Sequence, residues 1–306
     1  MTQAKTAHNA HATGREKVMA HLAMLSFALL ISGSFSLGGI AAKYAPSAAI
    51  NALRYILSVG VMWVFATQVM KVKLSFPKEP WRYVVLGLLM AIYMFTMFKA
   101  LEFTSPVATG AVFTLMPLIS AGFAWFLMRQ HTKPAVLLSL VVAAIGSVWV
   151  IFRGDISAIV GFDVGRGEAI YFIGVVCHAA YAPLLRLFSR GEPPIFVGFW
   201  AVAATAAWLM IPGIPALIHT DLSSFPAEVW VSILYLAVAT TAVTFMLLQY
   251  ASMRLPASKT LSYGYLTPSF IILFEGLIGH GWVGMTIWVG ALVTALGLVI
   301  SGLLPD

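Results

Sequence analysis

The chain has 306 residues, of which 60% are apolar and only 9% charged. A soluble domain carries roughly a quarter charged residues, so this composition excludes a water-soluble globule and makes lipid the natural solvent. The single cysteine, Cys177, excludes an internal disulfide framework and a cysteine-based zinc site, and no HExxH, GxSxG or GxxxxGK pattern occurs.

Residues 1–20 read as a polar, His-containing cytoplasmic tail. Metal binding is one reading of those histidines; a solvated tail without structure is the preferred one, and no metal site is assigned. An apolar run starts near Leu22. It is long enough to span and more spans follow, so it reads as a retained first helix rather than a signal peptide. A membrane helix needs about twenty mostly apolar residues. Such runs fall at 22–42, 48–70, 83–101, 107–128, 135–152, 169–188, 195–218, 229–250, 260–278 and 283–304. The expected fold is therefore an all-α integral membrane protein with ten transmembrane helices. Pro, Gly or charged residues mark the breaks, and the short connections make successive helices antiparallel neighbours.

The charges orient the bundle. With the N-terminus inside, cytoplasmic segments hold Lys5, Arg15, Lys17, Lys71, Lys73, Lys78, Arg82, Arg129, Lys133, Arg186, Arg190, Arg254 and Lys259. The outer side holds Lys43, Lys99, Arg153 and Arg166, and Arg54 lies within the second span. This excess is what the positive-inside rule expects, and it puts both termini in the cytoplasm. The net charge of +7 is then a topology signal and requires no nucleic-acid partner.

The two halves share a pattern. Pro117 and Pro268 are 151 residues apart, as are Gly146 and Gly297. Matches of Ala and Leu are cheap in so apolar a chain; the recurring Pro and Gly carry the information. The organisation is read as a first five-helix repeat (21–152), a linker loop (153–167) and a second five-helix repeat (168–304). Five is odd, so the second repeat enters the membrane from the opposite side. Inverted repeats of this kind are a common build for secondary transporters, with a site near the midplane and alternating access.

The segment Lys99-Ala100-Leu101-Glu102-Phe103-Thr104-Ser105-Pro106-Val107-Ala108, followed by Leu115-Met116-Pro117 and Gly146, resembles the first half of the EamA family of the drug/metabolite transporter superfamily. Gln249-Tyr250-Ala251-Ser252-Met253-Arg254-Leu255-Pro256-Ala257-Ser258-Lys259, with Leu266-Thr267-Pro268 and Gly297, is similar to the second. Arg54 also matches a frequent family arginine. The resemblance covers about residues 20–303. Where members often carry Gly-Glu after the fourth and ninth spans, this chain reads Met128-Arg129 and Gly279-His280, so no role passes to those carboxylates. The resemblance implies movement of a small metabolite across the bacterial inner membrane, with export of amino acids or related compounds the commonest theme. Uptake of a vitamin-like or nucleoside-like compound is the alternative.

Polar groups within spans are costly and usually face the bundle interior. His178 is the most central, and helical spacing puts Tyr171 and Tyr181 on the same broad face. It is read as a substrate-binding or proton-relay group; the alternative is a neutral imidazole bonded to a neighbouring helix. Glu275, the acid well inside a span, is the candidate for proton coupling together with His178. Arg54 shares a face with Asn51 and Ser58; it draws an anionic group or, the preferred reading, bonds backbone carbonyls. Tyr93, Tyr235, Tyr263 and Tyr265 complete the candidate substrate-binding set. Pro117 and Pro268 are candidate gating kinks, since a helix proline frees a carbonyl.

A secondary transporter fits best. The expected partners are a small-molecule substrate, the bilayer and protons, with monomer and homodimer both open and no cofactor expected. A channel would need an open polar path, whereas the polar positions are scattered. An intramembrane enzyme would need a denser set of acids, bases or ligands, and a non-transporting scaffold would gain little from an inverted repeat.

Overall fold

The structure, a computed structural model, describes residues 13–129, 133–252, 254–255, 260 and 262–303. Its regular elements are helical throughout. In chain order they are α1 (Gly14–Ala42), α2 (Ser47–Val64, continued by a π-turn at Phe65–Val69), α3 (Pro80–Leu101), α4 (Pro106–Phe113), α5 (Met116–Met128) and α6 (Pro134–Ile151). The short α7 (Ile156–Gly161) interrupts the expected linker loop, and its start is capped by Asp155, which accepts from the N–H groups of Ser157 and Ala158. There follow α8 (Arg166–Phe188), α9 (Pro194–Ile218), α10 (Ala227–Ala237), a π-helical segment Val238–Val243, α11 (Thr244–Ser252), a 3₁₀ turn Tyr263–Leu266, α12 (Thr267–Leu277) and α13 (Met285–Leu303).

Proline opens many of these helices. Pro80, Pro106, Pro134 and Pro194 sit in first turns, where the missing N–H would have had no intrahelical partner. The same physics locates the expected kinks. At Thr114–Leu115 and at Tyr263–Leu266 the chain leaves the regular α-helix while keeping right-handed helical dihedrals at the junctions. Pro117 and Pro268 then sit in the first turns of the segments that follow, α5 and α12. The first helix also starts earlier than expected, at Gly14, inside the region read as tail; residues 1–12 lie outside the described residues.

Among the described residues, 8 helical stretches are long and apolar enough to cross a membrane, counting Pro106–Met128 and Ala227–Leu248 as one span each, and Met285–Ile300 within α13 is a shorter apolar stretch. The expected span 260–278 appears as a 3₁₀ turn followed by the 11-residue α12, because the break before Pro268 divides it. Loop residues Gly279, Gly281 and Gly284 have GxGxxG spacing, but they join two helices and follow no strand, so the dinucleotide-binding context is lacking.

The halves pack with two-fold logic. α3 lies on α8, and α1 lies on α10 and α11; α2 pairs with α9, α4 with α12, and α6 with α13. Exchanging the halves swaps the first two pairings and returns the other three to themselves. The α6–α13 contact explains the matched glycines. A Cβ at Gly146 would lie 2.5 Å from the Thr294 backbone nitrogen and 2.6 Å from the Gly290 carbonyl oxygen. One at Gly297 would lie 2.9 Å from both the Ala143 Cβ and the Ser139 carbonyl oxygen. Between them Thr294 Oγ1 donates to the Ala143 carbonyl at 3.4 Å, linking positions 151 residues apart. Small residues here let the two helix backbones approach closely.

The main core draws Phe35 from α1, Phe98 from α3, Phe113 from α4, Tyr171 from α8, Ile233 from α10 and Ile271 from α12. Large apolar side chains such as Leu138, Ile145, Leu292 and Leu296 face outward, as a lipid-facing surface requires. Elsewhere, Arg82 at the start of α3 clamps the α8–α9 connection: it donates to Glu192 at 2.7 Å and to the Phe188 carbonyl at 2.5 Å. Burial opposes ionisation of Glu192, but the bond from Arg82 and the Arg190 N–H outweigh it and hold its carboxyl below the usual range.

Gly146→Ala places a methyl against the backbone of α13. We expect it to destabilise the protein by about 1–3 kcal/mol, the usual cost of overpacking. Thermal unfolding in detergent reads this directly; an unchanged Tm refutes the close approach of α6 and α13.

Candidate functional site

A cavity of about 340 Å³ lies between the two halves. Its walls come from α1 (Met24, Phe27, Ile31, Ser34), α2 (Arg54), α3 (Met90, Tyr93, Met94, Met97) and the α4–α5 break (Phe113, Thr114, Met116, Pro117, Ser120). The second half adds His178, Tyr181, Ala182 and Leu185 from α8, Thr240 from the π-helical segment, Leu248 from α11, and Thr260 and Gly264. The volume falls at the small end of the roughly 300–1,000 Å³ typical of ligand pockets.

The cavity is one-sided. It uses early residues of α1 and late residues of α8. Later α1 and earlier α8 are filled instead: Phe35 and Tyr171 are fully buried and pack edge to face at 6.2 Å, with Phe113 against Phe35 at 5.8 Å. One end of the bundle interior is therefore closed by aromatic packing.

Arg54 is the charged residue on the cavity wall, and it is 3% exposed. Its Nη2 donates to Thr240 Oγ1 at 3.2 Å and its Nη1 approaches Met94 Sδ at 3.3 Å. Its Nε has no partner. The guanidinium also lies 5.4 Å from the Tyr55 ring and 5.6 Å from the Phe98 ring, a favourable cation–π arrangement. None of these partners is a backbone carbonyl, which corrects the preferred expectation for this residue. The π-helical turn helps to place Thr240: Thr240 and Thr241 both donate to the Leu236 carbonyl, at 2.7 and 3.2 Å. Thr241 also meets Ser58 at 3.3 Å, holding this segment against α2. Such π-turns often mark functional sites.

Beside Arg54 stands an aromatic group. The His178 ring is centred 4.2 Å from Tyr93 and 6.1 Å from Tyr181. Tyr171 lies behind Tyr93 and donates to its hydroxyl at 3.1 Å. His178 Nδ1 is covered and has no partner. An imidazole bonded to a neighbouring helix through that nitrogen is thus not what the structure has.

Four expected substrate-binding residues line the cavity: Arg54, Tyr93, His178 and Tyr181. Four do not. Tyr171 supports Tyr93 from the core. Tyr235 donates to the Leu30 carbonyl at 2.9 Å and packs on Gly33. Tyr263 pairs with His21 at 2.8 Å, and Tyr265 is buried with Leu140 and Ala143. Glu275 is also outside the cavity; its Oε2 meets His280 Nδ1 at 2.9 Å while Oε1 has no partner. Pro117 lines the cavity and Pro268 does not. Among the described residues, no three His, Cys, Asp or Glu side chains are grouped to hold a metal ion.

Sequence reasoning missed Thr240, Thr260 and the methionines. Met90, Met94 and Met97 share the Tyr93 face of α3 at helical spacing, and Met24 and Met116 join them across the cavity. That spacing was visible, but in an apolar chain it reads equally as a lipid face.

The sequence profile of the EamA-like transporter family matches residues 18–152 and again 165–303. A relative described as the uncharacterized transporter YyaM of Bacillus subtilis (strain 168) is 26% identical over 284 residues, covering 92% of each chain. A solved crystal structure, described only as that of a protein, aligns with a TM-score of 0.67 at 20% identity over 95% of this chain and 98% of the other; it supports the fold alone. With two copies of the profile spanning most of its length, the chain is a multi-pass membrane protein of the drug/metabolite transporter superfamily and belongs to the EamA-like transporter family.

Proposed function

We propose that this membrane transporter is a secondary carrier that moves a small metabolite across the bacterial inner membrane by alternating access, with export favoured. Amino acids and related compounds are the cargo class the family suggests. The carrying observation is the cavity between the halves, with Arg54 and His178 left without full partners inside it and aromatic packing closing one end. A site shared by two related halves is what a rocking mechanism uses.

The full topology belongs to this reading. Ten spans, arranged as two inverted five-helix repeats, place both termini in the cytoplasm. The basic loops support this orientation, and so do the pairings that survive exchange of the halves. On this sidedness the cavity faces the cytoplasm and the Phe35–Tyr171 packing forms the outer closure. The breaks before Pro117 and Pro268 are the gating points: each lets the segments on either side tilt without rupturing a continuous helical ladder. The protein moves its cargo without chemically changing it. Coupling to protons is assigned to Glu275 together with His178; Glu275 bonds His280 through one carboxylate oxygen and leaves the other without a partner.

In proteoliposomes the purified protein should give saturable, substrate-selective flux; flux at channel rates overturns the carrier reading. His178→Ala should lower kcat/KM about tenfold, or roughly 1.4 kcal/mol, with expression and Tm unchanged. Unaltered kinetics would remove His178 from the site. An imposed pH gradient should change the rate, and Glu275→Gln should abolish that response; a wild-type rate indifferent to the gradient ends the coupling assignment.

A further inference from the structure

Resting on that reading of the cavity as the substrate site, we infer that its ligand is an organic carboxylate with an apolar body and no ammonium group, rather than a zwitterionic amino acid. Arg54 stays protonated in any protein environment, and it is almost fully buried. Burying a charge is expensive unless it is paired. Yet the neighbours of this guanidinium are a hydroxyl, a thioether and two ring faces, none of them anionic. The missing partner is an anion, and the unpartnered Nε is the donor that an incoming carboxylate would take up. His178 Nδ1 supplies a second unpartnered position on the same cavity. Of the buried polar side-chain atoms without partners among the described residues, these two alone belong to residues on its wall.

The absence of acids completes the argument. The sequence has 11 acidic residues. All but Asp306 are among the described residues, and none lines the cavity. An amino acid would therefore find a charged partner for its carboxylate and no acid for its ammonium group, which would exchange its hydration for neutral hydroxyls and ring faces only. The remaining wall is neutral and mostly apolar: scattered hydroxyls such as Ser34 and Ser120 stand among five methionines (Met24, Met90, Met94, Met97, Met116) and Phe27. Thioether side chains adapt to varied apolar shapes and contact aromatic groups favourably. The site thus selects by charge at one end and tolerates shape at the other.

The test uses the purified full-length chain in detergent and four probes of one skeleton: 3-phenylpropanoate, its amide, L-phenylalanine and 2-phenylethylamine. Hexanoate and decanoate, with their amides, extend the series to other bodies. Calorimetric titration should give a carboxylate Kd at least about tenfold lower than that of the matching amide, with the amine and amino acid weaker still. Arg54→Gln should erase the preference for carboxylate over amide, while Arg54→Lys keeps part of it. The wild-type comparison stands even if Arg54→Gln fails to fold. Equal binding of amide and carboxylate, tighter binding of L-phenylalanine, or no carboxylate binding in the whole series overturns the inference. Carboxylate binding without flux in vesicles defeats the transporter reading alone. Selective flux of L-phenylalanine or the amine defeats the carboxylate assignment and leaves the transporter standing.

Discussion

Hydrocarbon offers no hydrogen bonds, so a chain dissolved in it must satisfy its own polar groups. In this protein the rule extends from the backbone to the hydroxyl side chains. Ser32, Thr96, Ser147, Thr205, Ser232 and Thr294 each donate to the carbonyl four residues earlier. Much of the hydroxyl content of the spans is thereby absorbed helix by helix, although the Ser36, Tyr83 and Thr267 hydroxyls have no such partner. Closeness between helices then comes from small residues, as where Gly146 and Gly297 bring α6 and α13 into backbone contact. Against that satisfied background, a polar group left over is conspicuous.

Arg54 and His178 are such groups, and their place follows from the packing. Aromatic side chains fill the bundle between later α1 and earlier α8, while the other end keeps a cavity. The helical register breaks where that cavity needs room: before Pro117 in one half, before Pro268 in the other, and at the π-turn that carries Thr240. These three breaks border the cavity through Thr114, Gly264 and Thr240, whereas the π-turn Phe65–Val69 lies away from it.

Much of this was legible in the sequence. Hydropathy located the spans to within a few residues, except where α1 begins early, but it did not show that the fourth, eighth and ninth spans are broken into segments. The Pro and Gly offset pointed to the repeat, and its prolines mark the helix breaks; that its glycines meet in the α6–α13 contact was not readable from the offset. Intramembrane polarity found Arg54, Tyr93, His178 and Tyr181. It did not separate them from Tyr171, Tyr235 and Tyr265, because a tyrosine can satisfy its hydroxyl on a neighbouring helix or stay in the core, and only three-dimensional neighbours decide which. The methionine wall was hidden for a related reason: apolar periodicity marks a buried face and a lipid face alike, and nothing in residue type tells cavity from bilayer.

The lone guanidinium also bears on energetics at the scale of the whole membrane. A fixed cation that receives a monoanion gives a neutral occupied site and a positive empty one. A cycle in which only the anion crosses therefore transfers one negative charge. Moving an elementary charge through a membrane potential is worth about 2.3 kcal/mol per 100 mV. In a cell with a negative interior, that voltage drives an anion outward with no other coupling. Proton co-transport would make the same cycle electrically silent. The single positive charge on α2 thus makes electrical current across the membrane a signature of how the carrier is powered.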